Sequence, residues 1–279
     1  MSEILQLRPR SRTIEAALNY LGPLTERPRN YTFDPPRGEP RTNIVPEPHL
    51  VPIRDARAAA AAFRLDDHGF AVIKAPAAFD DFADEAAIRQ LYYPDSARIL
   101  QQAAGAGRVF IFDHTLRRRV AGADDRSPGT PRQPVARVHV DYTVRSGPQR
   151  VRDLLGDEAE CLLAGRVQIV NLWRPIRGPL RDAPLAVADA ASVAFEDLVP
   201  SDLVYPDRVG ETYSVRYNPA HRWYYVPDMM PDEALLLKSF DSATDGRARF
   251  APHSAFVDPT AEPPILPRES IEIRALLFG

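Results

Sequence analysis

The residues most able to do chemistry are in the stretch 138–143, Val-His-Val-Asp-Tyr-Thr, where β-branched residues surround a histidine and an aspartate. In a strand, alternate side chains share a face, so His139 and Asp141 would lie side by side. Two such ligands and one more imidazole form the two-histidine, one-carboxylate set that binds nonhaem Fe(II) and leaves coordination positions open. Alone, a His-x-Asp pair is a weak signal, because a surface strand with two unrelated polar residues gives the same pattern.

The third ligand must come from a strand late in the chain, where His221 and His253 are the candidates. His253 stands 15 residues before Arg268-Glu269-Ser270, at the start of a final strand that alternates polar and apolar residues. On one face of that strand, Arg268 and Ser270 can meet a carboxylate together, the guanidinium in two bonds and the hydroxyl in a third. An oxygenase that uses 2-oxoglutarate needs this combination, because the keto acid chelates the metal and its far carboxylate pairs with an arginine. We therefore favour His253 and keep His221 as the alternative.

Four other polar groups are interpreted as structural. His68 precedes a glycine and is expected to be a hydrogen-bonding turn residue. Asp113 and His114 are adjacent in a predicted strand and face opposite ways, which disfavours a shared metal ion. The triplet Arg117–Arg119 is typical of a solvated turn, with contact to an anion as the alternative. Cys161, the only cysteine, is interpreted as a small buried apolar residue and not as a nucleophile.

Composition excludes several classes of protein. The 279 residues carry a net charge of −3, with 44% hydrophobic and 26% charged residues, as is usual for a globular chain. Basic patches with interleaved aromatic residues are absent, so nucleic acid is not an expected partner. A single cysteine fits a reducing compartment. The chain has neither a secretory signal pattern nor a stretch of about 18 apolar residues, so we expect a cytoplasmic protein that does not span a membrane.

The first half of the chain is predicted to be mostly helical, with short strands. Apolar spacing and a hydroxyl cap predict a helix over 13–21. The proline-rich residues 23–49 predict an arm on the surface, long enough to serve a dimer contact. The remaining predictions for this half are a helix at 55–63, a turn and strand at 65–74, helices within 80–102, a strand at 108–114 and a loop at 117–134.

From residue 135 the pattern changes to strands separated by turn residues, with one helix at 148–164. About eight strands behind a helical half predict a mainly β protein, a two-sheet jelly roll with helices packed on one face. We interpret residues 1–279 as a single domain, with a helix and a surface arm in 1–50, a supporting region of helices and strands in 51–134 and a jelly-roll core in 135–279. The predicted strands are 135–144, 166–176, 184–190, 212–219, 221–227, 234–241, 248–256 and 269–278.

Taken together, these blocks resemble the hydroxylase/desaturase family of nonhaem iron enzymes of fungal and bacterial specialised metabolism. That group includes gibberellin desaturase-like proteins, aspergillic acid hydroxylases and the cephamycin methoxylation protein. The resemblance extends over nearly the whole chain, and its blocks are Tyr92-Tyr93-Pro94, Gly105-Ala106-Gly107-Arg108-Val109, Phe112-Asp113-His114-Thr115-Leu116-Arg117, Val138-His139-Val140-Asp141-Tyr142-Thr143, Asn171-Leu172-Trp173-Arg174-Pro175, Pro184-Leu185-Ala186, His221-Arg222-Trp223-Tyr224-Tyr225, Lys238-Ser239-Phe240-Asp241-Ser242, Pro252-His253-Ser254-Ala255-Phe256 and Arg268-Glu269-Ser270-Ile271-Glu272.

The resemblance implies a double-stranded β-helix, of the cupin-like jelly-roll type, that uses Fe(II), 2-oxoglutarate and O2. It implies that His139, Asp141 and His253 bind the metal and that Arg268 and Ser270 bind 2-oxoglutarate. The expected activity is hydroxylation, desaturation or oxidative cyclisation of a small molecule in natural-product biosynthesis. Neither the substrate nor the choice among these reactions transfers from the resemblance.

Five residues are our predicted walls of the substrate pocket, namely Tyr142, Asn171, Trp173, Tyr217 and Trp223. Aromatic residues on strands often serve only as core.

Two alternative functions stay open at this point. One is a cupin-like metal enzyme that does not use 2-oxoglutarate, and the other is a non-catalytic binding or partner subunit with the same fold.

Overall fold

The protein is mainly β, as expected, and its strands form two sheets. The computed structural model describes residues 12–123, 125 and 129–279. Numbered along the described chain, the strands are β1 (Thr13–Leu21), β2 (Arg29–Tyr31), β3 (Pro46–Asp55), β4 (Phe70–Lys74), β5 (Arg108–Arg118), β6 (His139–Val140), β7 (Val167–Pro175), β8 (Leu185–Ala188), β9 (Leu198–Val204), β10 (Val209–Val215), β11 (Trp223–Tyr225), β12 (Glu233–Asp241), β13 (His253–Ala255) and β14 (Glu269–Phe278).

One sheet has nine strands in the order β1-β3-β11-β8-β13-β6-β10-β9-β2, and the other has five in the order β4-β12-β7-β14-β5. The nine-stranded sheet is mixed, because β11 pairs parallel to β3 and β2 parallel to β9. This sheet curls strongly: the carbonyl of Asn19 in β1 accepts a 2.8 Å hydrogen bond from the amide of Val138, just before β6. The curl brings buried apolar residues of β1, β6 and β11 together in one hydrophobic core cluster on one face of the sheet.

The helices are short, and α3, the longest of those described, packs on the five-stranded sheet. Ile99 and Leu100 of α3 lie in one apolar cluster with Ile271 and Ile273 of β14. The alternate residues of β14 therefore face away from the helices, toward the interior between the sheets. The helices are α1 (Leu65–His68), α2 (Glu85–Ala87), α3 (Tyr93–Ala104), α4 (Ser146–Leu155) and α5 (Ala159–Leu163), with single-turn 3-10 or π segments at Arg57–Ala62, Ile88–Tyr92, Gly156–Glu158, Ala190–Ser192 and Phe195–Asp197.

The predicted helix over 13–21 is wrong, because these residues form β1. Ile14, Ala16, Leu18 and Tyr20 are buried and alternate with more exposed neighbours, which is the period of a strand. Ile14 and Leu18 are four residues apart and fit a helix equally well, so Ala16 and Tyr20 distinguish the two. All nine residues of β1 pair antiparallel with β3.

Residues 23–49 are docked on the domain, but they are not only an arm. They contribute β2 and the first part of β3, and Ile44 is buried. One edge of β3 pairs with β1. Its other edge pairs with β11, but only from Ile53 onward. The prolines at 46, 48 and 52 are therefore tolerated, since that edge demands no backbone donors from them.

Most other predicted elements are confirmed with altered bounds. The helices within 80–102 and 148–164 are present, and the final strand has its predicted limits. The stretch 135–144 contains only the two-residue strand β6, β9 was not predicted, and 117–118 belong to β5 and not to a loop. Cys161 is exposed, which contradicts the prediction of a buried residue. Within the described residues, none of the helices has the length and apolar character needed to cross a bilayer.

Candidate active site

Adjacent short strands bring the three predicted metal ligands together. His139 of β6 and His253 of β13 are direct cross-strand partners, with ring centres 4.5 Å apart. Asp141 follows β6, and its Oδ1 lies 3.5 Å from Nε2 of His139. One ligand atom from each of the three residues lies within 4.8 Å of the other two. Two nitrogens and one carboxylate oxygen at this spacing can bind a single small divalent ion.

The backbone fixes the orientation of both imidazoles. Nδ1 of His139 lies 2.7 Å from the carbonyl oxygen of Arg137, and Nδ1 of His253 lies 3.0 Å from that of Ala251. A carbonyl oxygen only accepts, so each Nδ1 carries the proton and each Nε2 keeps its lone pair for a metal. Burial and the neighbouring His139 lower the pKa of His253, which favours the neutral form that a metal needs.

Asp141 is held by a buried amide on the opposite sheet. Nδ2 of Asn171 in β7 donates to Oδ2 of Asp141 at 2.7 Å and to Oε1 of Glu272 in β14 at 2.6 Å. Burial raises the pKa of Asp141, but the nearby imidazoles of His139 and His253 lower it further, so the carboxylate is ionised. Asn171 thus links a metal-ligand candidate to Glu272, and it leaves Oδ1 of Asp141 available.

Across the same space, Arg268 is a buried cation that has no acidic partner among the described residues. Its side chain is 3% exposed, Nε donates to Oγ of Ser270 at 3.0 Å and Nη1 to the carbonyl of Ala183 at 2.8 Å. Its guanidinium lies 4.9 Å from the ring centre of Trp173. Within the described part of the chain, no carboxylate lies within ion-pair distance of this guanidinium. Burial beside Arg117 lowers the pKa of Arg268 to about 9, so it is still a cation at neutral pH.

A cavity of about 30 Å³ joins the two groups. Buried charges are normally paired, so an unpaired guanidinium facing such a cavity indicates a site for an anion. An acid with a chelating group at one end and a carboxylate at the other would satisfy both sides. The cavity is lined by Arg117, Val135, His139, Asp141, Trp173, Leu185, His253, Ala255, Arg268 and Glu272.

Comparison with known proteins agrees with this geometry. A family model described as an oxidoreductase/YMDC permease-like domain matches residues 18–278. The hydroxylase/desaturase efuI of Hormonema carpetanum is 33% identical, over 96% of this chain and 96% of its own. The chain belongs to the hydroxylase/desaturase family.

Other relatives of this hydroxylase/desaturase are named by their cofactors. The alpha-ketoglutarate-dependent dioxygenase phiK of a fungal species (strain ATCC 74256) is 36% identical, over 77% of this chain and 79% of its own. A solved structure of the iron and alpha-ketoglutarate-dependent endoperoxidase NvfI superposes with a TM-score of 0.87, at 28% identity, over 97% of this chain and 99% of that one. The family expected from the sequence, an Fe(II)/2-oxoglutarate-dependent oxygenase family, is thus confirmed.

In this hydroxylase/desaturase, three of the five predicted wall residues lie at the site. Asn171 contacts Asp141, and Trp173 lines the cavity beside Arg268. Tyr142 lines a second cavity of about 360 Å³, which shares only Asp141 with the first, and burial raises the pKa of its phenol.

The structure does not bring Tyr217 and Trp223 to either cavity. Trp223 pairs with Ala188, while the neighbouring Val187 pairs with His253, so Trp223 projects from the opposite face of the sheet. There its Nε1 donates to the hydroxyl of Tyr20 at 2.7 Å. Tyr217 lies beyond the end of β10 and stacks on His49 with ring centres 3.7 Å apart.

The alternative third ligand, His221, belongs to the same separate group. Its Nδ1 lies 3.2 Å from the Tyr20 hydroxyl and its Nε2 lies 3.1 Å from Oδ2 of Asp197. The Tyr20 oxygen accepts from Trp223, so the phenol proton is available to His221 and the imidazole donates to Asp197. Both ring nitrogens of His221 are thus used in a structural network.

The remaining polar candidates have structural partners. Nδ1 of His68 lies 3.3 Å from the amide of Arg64, as expected of a turn residue. Asp113 accepts two hydrogen bonds from Arg274, and the other face of the strand directs His114 to the hydroxyl of Tyr93 at 2.9 Å.

Two charged residues of the small cavity, Glu272 and Arg117, were not among the predicted site residues. Glu272 follows Arg268 and Ser270 at two-residue spacing, which places it on the same face of β14, and for Arg117 an anion contact was only the alternative interpretation. Arg117 is not in a solvated turn, because β5 continues through it and pairs it with Ser270 of β14. The cross-strand register with Ser270 is the signal that could have found it, once β5 is extended to that point.

Proposed function

We propose that residues 1–279 form a single-domain oxygenase that oxidises an unactivated C–H bond of a small molecule in natural-product biosynthesis. Hydroxylation, desaturation and oxidative cyclisation are the reactions in its range. One observation carries the proposal. The donor atoms of His139, Asp141 and His253 converge within 4.8 Å, and the unpaired Arg268 faces the same cavity.

In this proposal His139, Asp141 and His253 hold Fe(II), while Arg268 and Ser270 hold the far carboxylate of 2-oxoglutarate. The donor set fits, since both imidazoles have a free Nε2 and the carboxylate a free Oδ1. With 2-oxoglutarate and O2, the ferrous ion supplies the oxidising power for C–H cleavage, and succinate and CO2 are the co-products.

The protein's own residues would position the reactants and exclude water. Trp173, Leu185 and Val135 wall the small cavity with apolar surface, which strengthens the pairing of Arg268 with an acid. The hydroxyl of Ser270 accepts from Arg268 and keeps its own proton for the same carboxylate. Tyr142 would contact the substrate in the larger cavity, where it lies next to Asp141.

We also propose that the two sheets form the double-stranded β-helix of the jelly-roll type. The support is that β8, β13, β6 and β10 are consecutive in one sheet and β12, β7, β14 and β5 in the other, with the cavities between them. The single cysteine supports a cytoplasmic location. A small molecule is the expected partner, and a homodimer contact through residues 23–49 stays a prediction.

Anaerobic titration with Fe(II) and then 2-oxoglutarate tests the assignment. We expect one equivalent of Fe(II) to bind and a visible metal-to-ligand charge-transfer band to appear when 2-oxoglutarate is added. His253→Ala should lose both signals, whereas His221→Ala should keep them. Metal binding by His253→Ala that equals that of the wild type would refute the ligand set.

The same titration separates the two alternative functions. Arg268→Gln should still bind Fe(II) but require far more 2-oxoglutarate for the band. A cupin-like enzyme that ignores 2-oxoglutarate would show no band in the wild type, and its turnover would be unaffected by Arg268→Gln. A non-catalytic subunit would release no succinate with any substrate.

A further inference from the structure

Two guanidiniums, those of Arg274 and Arg150, lie at the inner end of the larger cavity, on the side of Asp141. Asp113 uses both carboxylate oxygens on Arg274, at 2.6 Å to Nε and 3.0 Å to Nη2. Nη2 of Arg274 also donates to Oγ1 of Thr115 at 3.1 Å. A second guanidinium, that of Arg150, approaches the same Asp113 only to 3.8 Å, which is too far for a hydrogen bond. One carboxylate thus serves two cations.

Of these two guanidiniums, that of Arg150 makes no hydrogen bond to the described residues. Within the described residues its guanidinium has no hydrogen-bond acceptor, and its Nε is shielded from solvent. It is held in place by the ring of Phe112, whose centre lies 4.8 Å from the guanidinium carbon. A partly buried, oriented guanidinium with unused donors is the group that proteins use to bind carboxylates in two parallel bonds.

Two further observations support an anion at this point. Tyr142 lines the same cavity, and its hydroxyl has no hydrogen bond to any described residue. The acidic residues toward the mouth of the cavity have hydrogen-bond partners other than Arg150. Asp202 and Glu211 pair with Arg27 at 2.7 and 2.5 Å, and Asp153 accepts from Gln149 at 2.8 Å.

We propose that this hydroxylase/desaturase recognises a substrate that carries a carboxylate, and that Arg150 pairs with that carboxylate while Tyr142 donates to it. This assignment rests on the proposed function of the neighbouring metal site. A substrate held in this way would occupy the cavity of about 360 Å³ that Asp141 also lines, so that part of it would lie near the metal ligands. Arg150 and Tyr142 would then determine specificity without taking part in oxidation.

The experiment uses the full chain with Fe(II) and saturating 2-oxoglutarate under anaerobic conditions. Calorimetry compares two acids, cyclohexanecarboxylate and 3-phenylpropanoate, with their uncharged methyl esters. We expect the acids to bind at least tenfold more tightly than the esters, and Arg150→Gln to abolish the difference. Arg152→Gln is the matched control, because Arg152 is on the same helix but pairs with Glu160 outside the cavity. Arg150→Lys keeps the charge and should retain part of the preference.

Three outcomes would overturn the assignment: equal binding of acids and esters, no binding of either, or an acid preference that survives Arg150→Gln. Saturating 2-oxoglutarate keeps the probe acids from the Arg268 cavity. The charge-transfer band and the melting temperature of Arg150→Gln should equal those of the wild type. A missing band in the wild type would count against the proposed metal site, whereas a normal band with no acid preference would count only against this substrate class.

Discussion

Replacing Arg268 by glutamine removes the cation that we assign to 2-oxoglutarate, and the size of the effect follows from its burial. The side chain is 3% exposed, lies over Trp173 and makes no ion pair within the described residues. Truncating one partner of a buried, hydrogen-bonded charge pair costs about 2–5 kcal/mol. The Kd for 2-oxoglutarate should therefore rise by about 30-fold to about 4,000-fold, at about 1.4 kcal/mol per tenfold.

Ser270→Ala provides a graded comparison at the same site. It removes one neutral hydrogen-bond donor, worth about 0.5–1.5 kcal/mol, so the Kd should rise only about twofold to about tenfold. Arg118→Gln is the control, since Arg118 lies beside this site on β5 but is exposed and pairs with Glu269 at 3.2 Å.

The assay is the charge-transfer band, titrated with 2-oxoglutarate at fixed Fe(II) in the absence of O2. Fe(II) affinity itself should be unchanged in all three variants, because none of the residues is a proposed ligand. A change of less than threefold in the Arg268→Gln variant would refute the reasoning, since the guanidinium would then not contact the acid.

Three more predictions concern the supporting structure. Asn171→Ala frees Oδ2 of Asp141 and should weaken Fe(II) binding by about 10-fold to about 100-fold in an anaerobic metal titration. Trp223→Phe removes a buried hydrogen bond and should lower the free energy of unfolding by about 1 kcal/mol in urea, without changing Fe(II) or 2-oxoglutarate binding. Asp66 should stabilise the fold only while its carboxylate is ionised, that is, at pH values above its pKa. Burial raises its pKa, but hydrogen bonds from Arg166 and Lys238 lower it further, to about 2.

The sign of the Asp66 prediction follows from linkage. The folded-state pKa lies below the ordinary value of 3.8, so the stabilisation is complete above about pH 5 and is lost as the pH falls toward 2. Urea midpoints of the wild type and Asp66→Asn should differ at neutral pH and converge on acidification. A difference that stays constant down to pH 2 would contradict this prediction. For Trp223→Phe, altered metal binding would contradict the placement of Trp223 on the face of the sheet opposite the site.

The candidate site could be predicted from the sequence because its residues are local pairs on strands. Two-residue spacing alone puts His139 beside Asp141 and Arg268 beside Ser270, whatever the rest of the chain does. The pairing of His139 with His253 needed the resemblance or the structure, since nothing local places β13 next to β6. Glu272 lies on the predicted face, but its bond to Asn171 depends on the pairing of β14 with β7.

The failures have physical causes of the same kind. In β1, Ile14 and Leu18 satisfy both a helix and a strand, and it is the burial of Ala16 and Tyr20, seen once β1 pairs with β3, that decides between them. Trp223 was assigned to the pocket by residue type, although the face of a strand on which a side chain lies is set by register. Cys161 shows that a residue's average burial is a poor guide to one position in a short helix.

One strand, β14, contributes to three neighbouring parts of the interior. Ser270 accepts from Arg268 at the small cavity, Glu272 accepts from the amide that holds Asp141, and Arg274 lines the larger cavity. Inserting a single residue ahead of them would turn all three outward together and present Ile271 and Ile273 in their place. In natural or laboratory variants of this enzyme, β14 can therefore accept substitutions but not single-residue insertions or deletions, and changes in length must fall in the loops.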